Sequence, residues 1–385
     1  MKKLRVGVIY GGRSGEHEVS VASAASVIKH LDRTRYEPVP VRIEKDGRWT
    51  LVDRAPTAAS AAEVIEQARQ AGPRTSRARR ETLIVPHESD DTLLTIDRLT
   101  GAEADQGQAV VTGLGLDVIF PVLHGPYGED GTVQGLLELA SVAYVGPGVL
   151  ASAAGMDKAV MKVLFAARGL PQTPYVVLRR REWEADREAA SARVLALGLP
   201  LFVKPANLGS SVGISKVKRA PELAAAIDLA LEFDHKLVIE AGVPEAREIE
   251  CAVLGNDDPR ASIPGEIIPS REFYDYEAKY LDAASRTEIP ATLTEAQVAE
   301  VQRLSLEAFE AIGAEGLSRV DFLIARDTGA VYLNEINTMP GFTTISMYAQ
   351  LWDASGVSYT ALVDRLITLA LERHASKQRL RTSVL

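Results

Sequence analysis

The sequence predicts an α/β and α+β protein built in three parts, and three observations carry that prediction. The chain opens as apolar strand, glycine turn and helix (LRVGVIY, GGRSG, then about residues 18–31), and strands and helices keep alternating beyond residue 150. Its 385 residues also exceed what one core of ordinary size holds. Hydrophobic residues make up 46% and charged residues 25%, the balance of a globular chain rather than a disordered or fibrous one. A net charge of −9 argues against nucleic acid or an anionic membrane as the main partner. Cys251 is the only cysteine, which excludes intramolecular disulfides and multi-cysteine zinc sites and points to a reducing compartment. With no signal-type leader and no apolar run of about 18 residues, the expected location is cytoplasmic and the expected contact with membrane is none.

Residues 1–150 are expected to form a first domain. A second strand in EPVPVRIEK leads into an insertion over residues 46–115, rich in Ala, Arg, Asp and Glu. Its basic cluster RTSRARR has no aromatic or Gly-rich cradle and reads as a solvated loop rather than a phosphate grip. The buried-strand run LDVIFPVLHG, a helix over TVQGLLELA and a short strand VAYVG close this domain. Residues 151–245 read as a small α+β domain, with a helix from Ser152 carrying Lys158 and Lys162. Its strands lie in YVVLRR, LPLFVKPA, GISKV and KLVIEAGV, and its other helices near 183–197 and 221–232. Residues 246–385 hold strands REIECAVLG, GEIIP, RVDFLIA and AVYLNEIN. A helix over 295–313 is announced by the Thr294–Gln297 capping box and by Val298, Val301, Leu304 and Ile312 at helical spacing.

The stretch RVDFLIARDTGAVYLNEIN reads as two neighbouring strands joined at Asp327, Thr328 and Gly329. Side chains two apart on a strand share a face, so Glu335 and Asn337 point together, and a hairpin would bring Asp321 beside them. Two carboxylates and an amide oxygen, without His or Cys, suit Mg²⁺ or Mn²⁺ and hence a nucleotide triphosphate; solvated strand ends are the alternative. Lys204, followed by Gly209, Ser210, Ser211 and Gly213, offers a cation, hydroxyls and backbone N–H groups to phosphates, or is simply a tight turn. The common nucleotide-loop spacing is absent there. Lys158 in GMDK is a second phosphate cation or a solvated lysine. Glu240 and Glu248 would accept from ribose hydroxyls, unless they are ordinary surface glutamates. Glu16 sits at the mouth of the first sheet, where a carboxylate suits a substrate ammonium. The dinucleotide fingerprint fails there, because Tyr10 stands where its first glycine should be. His124, ending a buried strand before three glycines in HGPYGEDG, is a site residue or a structural loop histidine.

In this order, HGPYGEDGTVQG, KPANLGSSVGISKV, FYDYEAKY and GLSRVDFLIARDTGAVYLNEINTMPG resemble the D-alanine–D-alanine ligase family of the ATP-grasp superfamily, over nearly the whole chain. The resemblance implies an ATP-grasp fold, with a Rossmann-like N-terminal domain and central and C-terminal domains clasping ATP. It implies ligation of two D-alanine molecules through a D-alanyl phosphate, for peptidoglycan precursor synthesis, by a homodimer. By the same resemblance Asp321, Glu335 and Asn337 would bind two Mg²⁺ ions, replaceable by Mn²⁺, with Glu335 bridging. Lys158, Lys204 and the Ser211 backbone would hold phosphates, and Glu240, Val243 and Glu248 would line the adenosine site. Arg319 would stabilise the transferring phosphoryl group. Glu16 would anchor the first D-alanine with His124 close by, and Gly341, Ser346 and the Met347 backbone would receive the second. Tyr280, bonded to Ser210 and Glu16, would close the site and steer the second amine, with Lys279 assisting at the phosphate. Relatives that make D-alanyl-D-lactate lack a Tyr in this loop, so Tyr280 implies an amine as second substrate; a D-lactate or D-serine ligase is the alternative. An ATP-dependent carboxylase would share the metal trio and Lys204 without needing FYDYEAKY or Glu16. A dehydrogenase would need the missing fingerprint, and a non-catalytic ATP-binding regulator would carry the same nucleotide motifs.

Overall fold

The computed structural model describes residues 2–71, 80–86, 93–98, 109–268 and 286–381. The first sheet collects β1 (Leu4–Gly11), β2 (Tyr36–Ile43), β3 (Trp49–Leu51), β4 (Arg80–Ile84), β5 (Leu93–Arg98), β6 (Ala109–Gly113) and β7 (Val118–Val122). Helices α1 (His17–His30), α2 (Ala61–Ala71) and α3 (Thr132–Leu139) accompany it. The strand order is β6-β5-β4-β3-β2-β1-β7, and β1 pairs in parallel with both β2 and β7. Parallel strands covered on both faces become continuous apolar runs, which is why all five residues of β7 are buried. The strands of the 46–115 insertion extend the sheet antiparallel from β2. VAYVG, expected as a strand, makes a single parallel bridge between Ile119 and Tyr144.

The next stretch holds α4 (Val149–Met156), α5 (Lys158–Ala167), β8 (Tyr175–Arg179), α6 (Arg180–Ala185), α7 (Arg187–Leu195), β9 (Leu201–Pro205), β10 (Ser215–Val217), α8 (Leu223–Ala230) and β11 (Lys236–Ala241). Two helices expected as continuous are broken by capping aspartates. Asp157 takes the N–H groups of Ala159 and Val160, each at 3.1 Å, and so starts α5; Asp186 takes Ala189 N–H at 2.9 Å and starts α7. The sheet is antiparallel, in the order β10-β9-β11-β8, over its own core of Trp183, Leu201, Val203, Leu237 and Ile239.

The third sheet holds β12 (Arg247–Gly255), β13 (Arg260–Ala261), β14 (Gly265–Ile268), β15 (Arg286–Glu288), β16 (Gly316–Ile324) and β17 (Val331–Asn337), with helices α9 (Glu295–Ala311), α10 (Met347–Ala354) and α11 (Tyr359–Gln378). The expected capping box forms, with Gln297 N–H donating to Thr294 Oγ1 at 3.2 Å. The last helix folds back onto the first sheet: Val6, Val8 and Phe120 share one cluster with Leu362, Leu366 and Ile367, and Tyr36 donates to Asp364 at 2.6 Å. The first and third sheets therefore share apolar packing, while the four-stranded sheet faces them over a cleft. No helix among the described residues is long and apolar enough to cross a membrane.

A bulge on β17 decides what faces that cleft. Asp321 lies opposite Glu335 but Phe322 lies opposite Leu333, so Asn334 is an extra residue. Strict alternation from the buried Val331 and Leu333 would send Glu335 into the core. The extra residue resets the phase, Ile336 takes the buried position, and Glu335 and Asn337 emerge beside Asp321.

Candidate active site

The charged face of the third sheet follows from its register. Glu250, Asp321 and Glu335 lie in one row across β12, β16 and β17, and Arg319 pairs with Asn337 in the next. Arg319 grips Asp321 in a bidentate pair, Nε to Oδ1 and Nη2 to Oδ2 both at 2.7 Å, while Glu250 Oε2 lies 2.9 Å from Nε. Burial opposes the guanidinium charge, and Asp321 and Glu250 outweigh it, so Arg319 stays protonated more firmly than an ordinary arginine. Asn337 Nδ2 donates to Asp321 Oδ2 at 2.9 Å, and the register sets Glu335 opposite Asp321. Glu248, two residues before Glu250, lies on the same face, opposite Leu323.

The opposite wall comes from α5 and the second sheet. Lys158 Nζ donates to Leu208 O at 2.7 Å and lies 3.4 Å from Glu335 Oε2. Lys204 Nζ lies 3.1 Å from Glu240 Oε1 and crosses the cleft to Asn334 Oδ1 at 3.2 Å. Glu240 is buried, but Lys204 and Lys162 overcome the desolvation and hold its carboxyl below the usual range. Val243 follows β11 and is half-buried. Just before it, a Cβ at Gly242 would meet Pro200 O at 3.0 Å and the Phe202 ring at 3.2 Å, so the aromatic surface at this point belongs to β9.

The loop after β9 reaches the first sheet. Ser210 (φ 49°) and Ser211 (φ 58°) both take left-handed conformations that non-glycine residues rarely adopt, and Ser210 Oγ donates to the Glu16 carboxylate. This bond joins residues 194 apart, so it ties the loop after β9 to the start of α1. At Gly125 (φ 72°) an added Cβ would lie 2.8 Å from Glu16 Oε2, so a larger residue there would be strained and would displace that carboxylate.

His124 is buried with both ring nitrogens engaged: Nδ1 lies 3.0 Å from Met339 O and Nε2 lies 3.2 Å from Ser23 Oγ. A carbonyl can only accept, so Nδ1 carries the proton, and Ser23 donates to Nε2 while accepting from Phe342 N–H at 3.1 Å. Burial lowers the His124 pKa, in keeping with a neutral ring that links the first sheet to the segment after β17. Further along that segment, Ser346 Oγ accepts from Thr343 N–H at 2.9 Å, and a Cβ at Gly341 would sit 2.9 Å from the same oxygen. Ser346 stands at the N-terminus of α10 and Met347 begins it, a position whose dipole favours a carboxylate. Tyr280 and Lys279 lie outside the described residues.

Sequence reasoning did not single out Glu250 or Glu129. The i, i+2 spacing of Glu248 and Glu250 on one strand was the available signal for the first. Glu129, inside HGPYGEDG, accepts Gly125 N–H at 2.7 Å, and desolvation together with the Glu16 carboxylate pushes its carboxyl up to about 8. A carboxyl raised from 4.5 to about 8 favours the folded state fully below pH 4.5 and loses that contribution as pH rises through 8. Glu129→Gln is therefore expected to gain melting temperature over the parent at pH 9 but not at pH 5, measured by scanning calorimetry on ligand-free protein.

Residues 5–147 match the family model for the D-ala D-ala ligase N-terminus and residues 164–368 that for its C-terminus. A D-alanine–D-alanine ligase of Heliobacterium modesticaldum is 50% identical over 98% of each chain, and one of Bacillus cytotoxicus is 46% identical over 100% of each. Among solved structures, the D-alanine–D-alanine ligase of Coxiella burnetii superposes with a TM-score of 0.80 at 34% identity, over 98% of this chain and 97% of that one. The VanG D-Ala:D-Ser ligase of Enterococcus faecalis gives 0.79 at 32%, over 96% and 100%. With an ATP-grasp architecture, both family models matched in order and relatives alike from end to end, the chain belongs to the D-alanine–D-alanine ligase family.

Proposed function

We infer that this chain joins two D-alanine molecules into D-alanyl-D-alanine at the expense of ATP, through a D-alanyl phosphate, and so supplies peptidoglycan precursor synthesis. The observation that carries this is the contact across the cleft: Lys204 reaches Asn334 and Lys158 approaches Glu335, so cations suited to phosphates face a carboxylate cluster. A carboxylate is a poor electrophile. Moving the γ-phosphoryl group onto the first D-alanine gives it a leaving group, and the transfer needs concentrated positive charge. Lys158, Lys204 and the Ser211 backbone would hold the phosphates, with Glu240, Val243 and Glu248 around the nucleoside. Arg319 would face the transferring group.

Asp321, Glu335 and Asn337 form an oxygen-only donor set whose two carboxylates already attract cations, Arg319 on one and Lys158 on the other, so they fit a divalent ion. Among the described residues no three His, Cys, Asp or Glu side chains gather as a cage, and Asn337 with ligand oxygens would complete the set, as Mg²⁺ accepts. When bound, Mg²⁺ or Mn²⁺ supplies Lewis-acid neutralisation of phosphate charge. Glu16, fixed by Ser210, would take the first D-alanine's ammonium, with the neutral His124 shaping that pocket. The α10 N-terminus at Ser346 and Met347, beside Gly341, would take the second carboxylate. Tyr280 and Lys279 would cover the site and exclude water from the acyl phosphate. We take residues 1–150, 151–245 and 246–385 as the three units that meet around this cleft.

The test is phosphate release from Mg·ATP. Release is expected with D-alanine, not with L-alanine, and without gain when D-lactate or D-serine is added to D-alanine. Release independent of D-alanine would overturn the function, and faster product formation with D-lactate or D-serine would move the second substrate to that class.

A further inference from the structure

Lys162 has no part in the reaction as proposed, yet it is fully buried on α5. A buried ammonium is costly unless it is paired. Its partners are Glu240, with Nζ 3.2 Å from Oε2, and the Tyr175 ring, whose centroid lies 5.3 Å away. Burial pushes the ammonium down from its ordinary range and Glu240 opposes that shift. Glu240 is itself 3% exposed, taking Thr173 Oγ1 on Oε2 at 3.0 Å and Lys204 on Oε1 at 3.1 Å.

The two lysines around this carboxylate are not equivalent. Lys204 is 11% exposed and extends across the cleft, so as a phosphate cation it would share its charge with the ligand. Lys162, sealed from solvent, is the counter-ion that stays with Glu240 when Lys204 is engaged. An ionised carboxylate can only accept hydrogen bonds. A base presenting an amino group offers it a donor, whereas one presenting a carbonyl sets oxygen against oxygen where water cannot compensate.

We propose that Lys162 is a positioning residue for nucleotide selection: it fixes the Glu240 carboxylate as an acceptor at the floor of the nucleotide slot, so that the site takes an adenine-type base and rejects a 6-oxopurine. This rests on the ATP reading of the cleft. Steady-state kinetics with ATP and ITP test it. In Lys162→Met, KM for ATP is expected to rise about tenfold, with kcat and KM for D-alanine within about threefold of the parent. The kcat/KM preference for ATP over ITP should fall about tenfold. Lys162→Gln, which keeps a donor but loses the charge, should move the preference in the same direction. A merely structural role would lower the melting temperature and the active fraction without touching the ATP/ITP preference, so an unchanged preference in either folded variant overturns the proposal. Should both single variants fail to fold, Lys162→Met combined with Glu240→Gln removes both buried charges. It is expected to show the preference of Glu240→Gln alone, because Lys162 acts through Glu240; any additional change overturns the proposal. A parent enzyme with no ATP dependence would instead sink the ATP reading itself.

Discussion

Glu335→Gln is expected to lower kcat for D-alanine-dependent phosphate release by about a thousandfold, equivalent to about 4 kcal/mol of transition-state stabilisation. The exchange keeps shape and one oxygen while removing the charge that attracts Lys158 at 3.4 Å and that would hold a divalent ion with Asp321 and Asn337. Because the Glu335 side chain is 25% exposed at the cleft, the lost pairing is partly screened, and the melting temperature should stay within about 5 °C of the parent. Mn²⁺ binding followed by electron paramagnetic resonance gives a readout independent of turnover and should weaken at least tenfold. A variant that keeps kcat within about tenfold and binds Mn²⁺ as the parent does would remove Glu335 from the metal site.

What the sequence made legible here was local chemistry and its order. Asp321, Glu335 and Asn337 were visible as an oxygen set because a strand puts residues two apart on one face, and the register joins them as that spacing required. The bulge at Asn334 was not visible, since an extra residue shows only against its partner strand; without it the same alternation would have buried Glu335. The breaks at Asp157 and Asp186 escaped for a related reason. Helical periodicity continues across both, and an aspartate inside such a run does not announce that it caps the next helix. Lys162 and Glu250 have no motif around them, and the motif that holds Glu129 does not mark it out. Their significance comes from partners 78, 113 and 69 residues away in Glu240, Glu16 and Arg319, and long-range pairing of that kind is set by topology. The same holds for the 46–115 segment, which composition marks as an insertion and pairing turns into strands of the first sheet.

Arg319 allows charge and geometry to be separated. Its Nε and Nη2 are committed to Asp321 and Glu250, and among the described residues Nη1 is the nitrogen left to meet charge developing in the cleft. Arg319→Lys keeps the positive charge between those two carboxylates, so neither is stranded, and the melting temperature should fall by only about 3–5 °C. A lysine is a single point donor, however, and cannot hold two carboxylates in a fixed fork while presenting a third group. Its kcat is therefore expected to fall at least about a hundredfold, with KM for ATP changing much less. Arg319→Met should behave differently: Glu250, a buried carboxylate, loses its ion pair with the guanidinium, and removing one partner of such a pair costs about 3–5 kcal/mol, enough to show as a large loss of melting temperature. If the lysine variant retained kcat within about threefold, Arg319 would be a structural clamp on Asp321 and Glu250 rather than a group that meets the transferring phosphoryl. If both variants lost kcat while only the methionine variant lost stability, the two roles would be distinct and would reside in different nitrogens of one side chain.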